Sequence, residues 1–139
     1  MSNKTIILTE DDESIKLVTS SYFQDLGYEV IMASGLRQLW KLIENKKGDI
    51  LITDVMLPDG ELFDILPQIT ELREDLPVIV VSAKNNLQTA ISATKQGAYE
   101  YLPKPFDLDE LQNLVKKALE RKKTTKNKSK IQTKIDKQM

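Results

Sequence analysis

Two kinds of hydrophobic pattern alternate along the chain. Short, mostly apolar runs at residues 4–9, 28–33, 49–53, 77–82 and 99–102 are typical of β-strands. Between these runs, apolar residues recur every three or four positions, which is typical of helices with one buried face. Helices are therefore predicted at residues 13–26, 35–47, 62–72 and 87–96, with a last helix beginning after Asp107.

Local signals at the helix ends support this division of the chain. Gly27 and Gly97 follow the first and fourth helices, and glycine commonly ends a helix, while Ser34 is placed to cap the second. Pro67 lies within the third segment, so it must occupy the first turn of that helix or produce a kink. The residues expected on the buried face of the first helix are Ile15, Val18, Tyr22 and Leu26.

The strict alternation of strands and helices predicts the fold class. It indicates a parallel sheet that is covered by helices on both faces. Five such units predict an α/β fold, a (βα)5 flavodoxin-like doubly wound parallel sheet with strand order 2-1-3-4-5. Ligand sites in this kind of sheet lie outside the carboxyl ends of the strands, where the strand order reverses. In the order 2-1-3-4-5, that point lies between the first and third strands.

Polar residues stand where the predicted strands end at this edge. They are Glu10, Asp11 and Asp12 after the first strand, Asp54 after the third, Ser82 at the end of the fourth and Lys104 after the fifth. Because adjacent carboxylates repel each other unless water or a cation offsets their charge, the acidic run ILTEDDES calls for an explanation. Packing alone does not require this set of residues.

Each of these residues has an ordinary explanation when it is taken alone. Asp11 and Asp12 can complement the dipole of the following helix. Asp54 can hydrogen-bond its own turn, and Lys104 can be a solvated loop residue. Together they predict one chemistry, because clustered carboxylates suit Mg²⁺, which binds one or two carboxylates together with water and phosphate oxygens. A carboxylate can also accept a phosphoryl group, whose oxygens the metal and an ammonium would neutralise.

These motifs resemble the receiver domain of two-component response regulators. The matching segments are Asp11-Asp12 after the first strand, Asp54 in ITDVMLP, Ser82-Ala83 in VVSAK and Lys104 in YLPKPF. The resemblance covers about residues 4–120. The phrases GAYEYLPKPFD and LPDGELFDILPQI are further similar to receivers of the NtrC/NtrX-like subgroup, which implies a link to transcription regulation.

The resemblance implies a role for each residue of the site. Asp54 would accept a phosphoryl group from the phosphohistidine of a sensor histidine kinase, and Ser82 and Lys104 would contact the phosphoryl oxygens. The implied Mg²⁺ ligands are Asp11, Asp12, Asp54 and the backbone carbonyl of Met56. Glu10 is expected to be a solvated neighbour. The domain would be a phosphoacceptor that assists its own phosphorylation and dephosphorylation, not an enzyme.

The resemblance also implies a switch. Ser82 would move toward the phosphoryl group and Tyr101 would turn inward, which would change the surface formed by the fourth helix, the fifth strand and the fifth helix. That surface is also the expected homodimer face. One departure stands out, because Asp59 and Gly60 come earlier in the loop after Asp54 than the acid–glycine turn of many receivers. The backbone path of residues 58–62 is therefore open, and the side chains of Met56 and Lys84 are expected to gate water.

The composition and the motifs argue against several other functions. The chain has no cysteine and no histidine, which excludes disulfides, thiolate chemistry and imidazole bases or ligands. A carboxylate-nucleophile phosphatase would use a second acid two residues after Asp54, where Met56 stands. A nucleotide-binding module would have a glycine-rich turn after the first strand, where this chain has acids. A standalone partner-binding module without phosphorylation stays open.

The charge is unevenly distributed along the chain. Residues 121–139 hold eight Lys and Arg and one acid, which leaves twelve basic and twenty acidic residues, a net charge of -8, for residues 1–120. We expect residues 1–120 to form the receiver domain. For residues 121–139, the alternatives are a flexible basic linker and a nucleic-acid contact; the linker is favoured because this tail lacks aromatic residues and most of its charge is Lys. Binding to DNA would require an output domain outside this chain. No apolar run reaches the roughly 18 residues of a membrane span, and the N-terminus lacks a signal-peptide pattern, so a cytoplasmic protein is expected.

Overall fold

Five parallel strands form the central sheet of the computed structural model, which describes residues 4–83 and 86–121. The strands are β1 (Thr5–Thr9), β2 (Glu29–Ala33), β3 (Ile50–Asp54), β4 (Val78–Ser82) and β5 (Glu100–Pro103). Their order is β2-β1-β3-β4-β5, and every neighbouring pair is parallel. The predicted flavodoxin-like α/β fold is thus confirmed, with strand ends that differ from the prediction by at most one residue.

Helices connect the strands in the predicted order. They are α1 (Glu13–Asp25), α2 (Leu36–Glu44), α3 (Leu66–Leu72), α4 (Leu87–Lys95) and α5 (residues 108–121). Pro67 lies in the first turn of α3, where its missing N–H costs no hydrogen bond, and a short 3₁₀ turn at Leu62–Asp64 precedes that helix. Within the described residues, no helix is both long enough and apolar enough to pass through a membrane.

The hydrophobic core has two layers, one on each face of the sheet. β3 and β4 are buried along their whole length, which fits their apolar sequences ILITD and VIVVS. The layer on one face joins the sheet to α2, α3 and α4 through Leu39, Ile43, Leu66, Ile69 and Ala93. The layer on the other face joins it to α1 and α5 through Phe23, Leu111, Val115 and Ala118.

The predicted buried face of α1 was partly wrong. Val18 and Leu26 are 55% and 45% exposed, whereas Thr19, Ser20 and Phe23 are buried. Small hydroxyl side chains can be buried in a helix when they bond a nearby carbonyl, and the Ser20 hydroxyl donates to the carbonyl of Leu17 at 3.1 Å. The helix is therefore anchored by one aromatic ring and a narrow polar stripe instead of a continuous apolar face.

Arg73, at the end of α3, fixes the connection between α2 and β3. Its guanidinium is buried and donates to the carbonyls of Lys47 and Gly48, both at 2.9 Å, and more weakly to that of Ile43 at 3.4 Å. These carbonyls belong to the end of α2 and the turn that follows, where few intrahelical donors are available. The planar fork of the guanidinium satisfies several of them at once.

We expect Arg73→Lys to lower the free energy of unfolding by about 1–3 kcal/mol, because an ammonium cannot reproduce the fork and leaves buried carbonyls unsatisfied. Arg37→Lys, at an exposed position on α2, is the matched control and should change stability by less than about 0.5 kcal/mol. Urea unfolding followed by the fluorescence of Trp40 measures both. Equal effects of the two substitutions would contradict the structural role of Arg73.

Candidate functional site

Asp54 ends β3 at the carboxyl edge of the sheet, and its carboxylate is held on both sides. One oxygen accepts hydrogen bonds from the N–H groups of Val55 at 2.6 Å and Met56 at 3.3 Å. The other oxygen accepts from the ammonium of Lys104 at 2.6 Å. Asp54 is only 8% exposed, so little of the residue is accessible to a reacting group.

Lys104 lies between two prolines, directly after β5. The Lys104–Pro105 peptide bond is cis, and the Lys104 N–H donates to the carbonyl of Ser82 at 2.8 Å, which ties this loop to the end of β4. Its ammonium donates to Glu10 at 2.8 Å as well as to Asp54. Burial is the largest influence and lowers the pKa of Lys104, but the hydrogen bonds and charges of Asp54 and Glu10 together raise that pKa above its ordinary value. The side chain is therefore a cation at neutral pH.

Glu10 was expected to be a solvated neighbour, and that expectation was wrong. Its residue exposure is 1%, and one carboxylate oxygen binds Lys104. The second oxygen accepts from the N–H of Asp12 at 3.1 Å. A buried carboxylate is costly without a partner, and the ammonium of Lys104 supplies one.

The carboxylates that converge at the edge also differ from the expected set. Oxygens of Glu10, Asp11 and Asp54 lie within 4.8 Å of one another, close enough to hold one metal ion. Asp12 is not in this group. It occupies the N-cap of α1, where one oxygen of its carboxylate accepts from the N–H of Ile15 at 3.0 Å. A signal for this was present in the sequence, since a helix that begins at Glu13 makes Asp12 its natural cap.

The chemistry of the converging donors fits Mg²⁺. The ion prefers hard oxygen ligands, and the three carboxylates together with a backbone carbonyl offer those and no soft donor. Met56 lies two residues beyond Asp54, and its carbonyl stays a predicted ligand. A cation here would also offset the repulsion among the three acids.

Ser82 and Tyr101 lie on the same face of neighbouring strands. Ser82 is the buried last residue of β4, and Tyr101 on β5 is in register with Val80, two positions before Ser82. The ring of Tyr101 is half-buried against the core layer of α2, α3 and α4. Strand pairing places Asp54 opposite Val81, so Ser82 is at the same edge as the acidic group.

The loop after Asp54 follows a path that the sequence left open. Met56 and Leu57 pair with Glu61 and Gly60 in a two-stranded antiparallel hairpin. Gly60 has a φ of 142°, a value that side-chain-bearing residues rarely adopt. Lys84, which was expected to gate water, lies outside the described residues.

Two corrections follow at the start of α2. Ser34 was predicted to cap this helix, but its hydroxyl accepts from the ammonium of Lys16 at 3.1 Å and Gly35 is the N-cap residue. The capping oxygens come from Asp59, whose carboxylate accepts from the N–H groups of Leu36 at 2.7 Å and Arg37 at 3.1 Å. Asp59 was missed as a partner of α2 because the two segments are more than twenty residues apart in sequence.

Comparisons with known proteins agree on one family. The profile of the response regulator receiver domain matches residues 6–116. The DNA-binding transcriptional regulator NtrC of Rhizobium meliloti (strain 1021) is 45% identical over 119 residues, which are 86% of this chain and 25% of that protein. NtrC of Escherichia coli (strain K12) is 33% identical over 119 residues, again 86% of this chain and 25% of that protein. This chain thus spans about a quarter of the length of these curated relatives.

Solved structures give the same result for the fold. The CheY-like receiver domain protein of Methanospirillum hungatei JF-1 superimposes with a TM-score of 0.84 at 27% identity, over 89% of this chain and 99% of that chain. NtrX from Brucella abortus superimposes with a TM-score of 0.84 at 26% identity, over 94% of this chain and 30% of that chain.

The converging group of Glu10, Asp11 and Asp54 gives a direct test against the expected set with Asp12. We expect Glu10→Gln to weaken Mg²⁺ binding about tenfold, because it removes a charge from the converging set. Asp12→Asn should change the Mg²⁺ dissociation constant by less than about threefold, since asparagine caps a helix as well as aspartate does. Isothermal titration calorimetry with MgCl₂ measures both. A larger effect of Asp12→Asn than of Glu10→Gln would instead support Asp11 and Asp12, the pair expected from the sequence, as the Mg²⁺ ligands.

Proposed function

This chain belongs to the family of response regulator receiver domains, with NtrC/NtrX-like relatives, and from that premise we propose that Asp54 is its phosphoacceptor. The phosphoryl donor in this proposal is the phosphohistidine of a sensor histidine kinase. The observation that carries it is the position of the Asp54 carboxylate, which is oriented by two backbone N–H groups and faces the ammonium of Lys104. A carboxylate that is buried and oriented in this way is suited to nucleophilic attack.

The transfer is an in-line displacement at phosphorus. A carboxylate oxygen of Asp54 forms the new bond to phosphorus while the bond from phosphorus to the imidazole nitrogen of the donor breaks, and the electron pair of that bond stays on the imidazole. The ammonium of Lys104 lies 2.6 Å from Asp54, so it can stabilise the charge on a phosphoryl oxygen. Ser82 is the proposed hydroxyl donor to another of these oxygens.

Magnesium is the proposed cofactor. Glu10, Asp11 and Asp54 would hold the ion together with the carbonyl of Met56, directly or through water. When bound, the ion neutralises charge on the phosphoryl oxygens and on the acids around them. Glu10 replaces Asp12 in this proposal because Asp12 caps α1. The protein residues hold and orient the phosphoryl group, and the domain serves as a phosphoacceptor without sustained turnover.

The proposed output is a change in the surface formed by α4, β5 and α5. The phosphoryl group carries a charge of about -1.5 to -2, against -1 for the carboxylate that it modifies, and Ser82 would move toward that charge. Because Ser82 and Tyr101 lie on the same face of adjacent strands, the movement would give the Tyr101 ring room to turn inward. The same surface is the proposed homodimer face, and Leu87 and Ile91 of α4 are exposed there.

The proposed context is transcription regulation. The NtrC relatives are named DNA-binding transcriptional regulators, and this chain matches about a quarter of their length. We propose that residues 1–120 form the receiver domain and that residues 121–139 form a basic linker, although residues 122–139 lie outside the described part of the chain. Contact with DNA would then belong to an output domain outside this chain.

Phosphorylation itself is tested by incubating the chain with Mg²⁺ and acetyl phosphate and measuring the intact mass. We expect one phosphoryl adduct, absent in Asp54→Asn and present in the control Asp25→Asn at the exposed end of α1. No adduct with any phosphodonor would favour a partner-binding module without phosphorylation. Repeated turnover of a phosphomonoester would favour a carboxylate-nucleophile phosphatase.

The switch is tested with beryllofluoride, a stable mimic of the phosphoryl group. We expect the NMR signals of the Tyr101 ring to shift when Mg²⁺ and beryllofluoride are added, and to shift much less in Ser82→Ala. Sedimentation velocity on the same samples reports whether the mimic promotes a dimer, and Leu87→Glu should prevent it. An unchanged Tyr101 environment in the wild type would rule out this route of activation.

A further inference from the structure

The hairpin that follows the phosphoacceptor is fastened to the start of a helix from another part of the chain. The carboxylate of Asp59 accepts hydrogen bonds from the N–H groups of Leu36 and Arg37, the first two residues of α2. These hydrogen bonds lower the pKa of Asp59, with the bond from Leu36 as the largest cause, so the carboxylate is charged at neutral pH. An anionic cap at a helix N-terminus also interacts favourably with the helix dipole.

Two glycines make room for this contact. A Cβ atom at Gly35 would lie 2.7 Å from a carboxylate oxygen of Asp59. The φ of Gly35 is -163°, which any residue can adopt, so the close approach of Asp59 is what excludes a side chain there. On the other side of the contact, a Cβ atom at Gly60 would lie 2.9 Å from the Leu36 side chain. A side chain at Gly35 would therefore displace the Asp59 carboxylate, and one at Gly60 would displace the Leu36 side chain.

Asp59 lies at the tip of the hairpin, and Met56 lies between that tip and the base. The base is fixed by a hydrogen bond from the N–H of Leu62 to the carbonyl of Val55 at 2.7 Å, and both side chains are buried. Because Met56 pairs with Glu61, a movement of the tip or of the base of the hairpin would also move the backbone of Met56. With the tip released, this backbone would be held only from the base of the hairpin, where the Met56 N–H also donates to Asp54 at 3.3 Å.

We propose that Asp59 is a positioning residue for the phosphorylation site, because its cap on α2 holds the Met56 carbonyl where Mg²⁺ needs it. This inference rests on the proposed function, in which that carbonyl is a metal ligand. Mg²⁺ demands near-ideal ligand geometry. If the Met56 carbonyl had to be ordered when the ion binds, that ordering would cost free energy and the site would bind Mg²⁺ more weakly. Asp59 touches neither metal nor phosphoryl group and acts through the hairpin.

The test uses the full chain with Asp59→Ala, Gly35→Ala and both substitutions together. We expect each single substitution to raise the Mg²⁺ dissociation constant about three- to tenfold, because each breaks the same cap. The double variant should bind Mg²⁺ no more weakly than Asp59→Ala, since the added Cβ then meets no carboxylate. Asp59→Asn keeps one acceptor oxygen and should recover part of the affinity. At saturating Mg²⁺, acetyl phosphate should modify all these variants at close to the wild-type rate.

A matched control separates positioning from a general loss of helix stability. Gln38→Ala removes the hydrogen bond at 2.7 Å from the N–H of Ser34 to the Gln38 side chain, at the same end of α2 but away from the hairpin. It should lower stability without changing the Mg²⁺ dissociation constant. Equal affinities in wild type and Asp59→Ala, or fully additive effects of Asp59→Ala and Gly35→Ala, would overturn the inference. If wild type binds Mg²⁺ but forms no phosphoryl adduct, the proposed function fails while the metal titrations still decide the role of Asp59.

Discussion

The ammonium of Lys104 between the carboxylates of Glu10 and Asp54 is the interaction on which the site depends. The strand order places β1 beside β3, so two buried acids end neighbouring strands and would repel each other in a low-dielectric environment. Lys104 binds both, at 2.8 and 2.6 Å, and reaches them from the loop after β5. One cation thus joins loops from three strands. Removing Lys104 from this group would leave two buried carboxylates without their cation.

The same cation explains how chemistry at Asp54 can reach the rest of the domain. A phosphoryl group on Asp54 would compete with Glu10 for the ammonium, because it carries more negative charge than the carboxylate of Glu10. The backbone N–H of Lys104 is bonded to the carbonyl of Ser82, so the loop after β5 and the end of β4 would respond together. Tyr101 lies on the strand that leads into this loop. The proposed switch therefore requires no long pathway, since its parts are already bonded or lie on adjacent strands.

The fold could be predicted because each strand and helix carries its own hydrophobic pattern, and the pattern is local. The edge of the sheet where Asp54, Ser82 and Lys104 meet could be predicted as well, because strand order alone sets it. The errors at Glu10 and Ser34 share one cause. Glu10 is buried by Lys104, which is 94 positions away in sequence, and Ser34 is not the cap of α2 because Asp59 occupies that role. Contacts between distant loops decided these positions, and no local pattern records them.

Acidic residues at this edge have two different roles, capping helices and concentrating negative charge. Asp12 and Asp59 bind backbone N–H groups at the starts of α1 and α2, which orders the loops. Glu10, Asp11 and Asp54 converge on one point, which concentrates negative charge. Converging carboxylates repel each other, and this repulsion tends to move apart the loops that carry them. The helix caps made by Asp12 and Asp59 oppose that movement. Loops held by capped helices resist that movement, so the charge can remain concentrated where a cation and a phosphoryl group would bind.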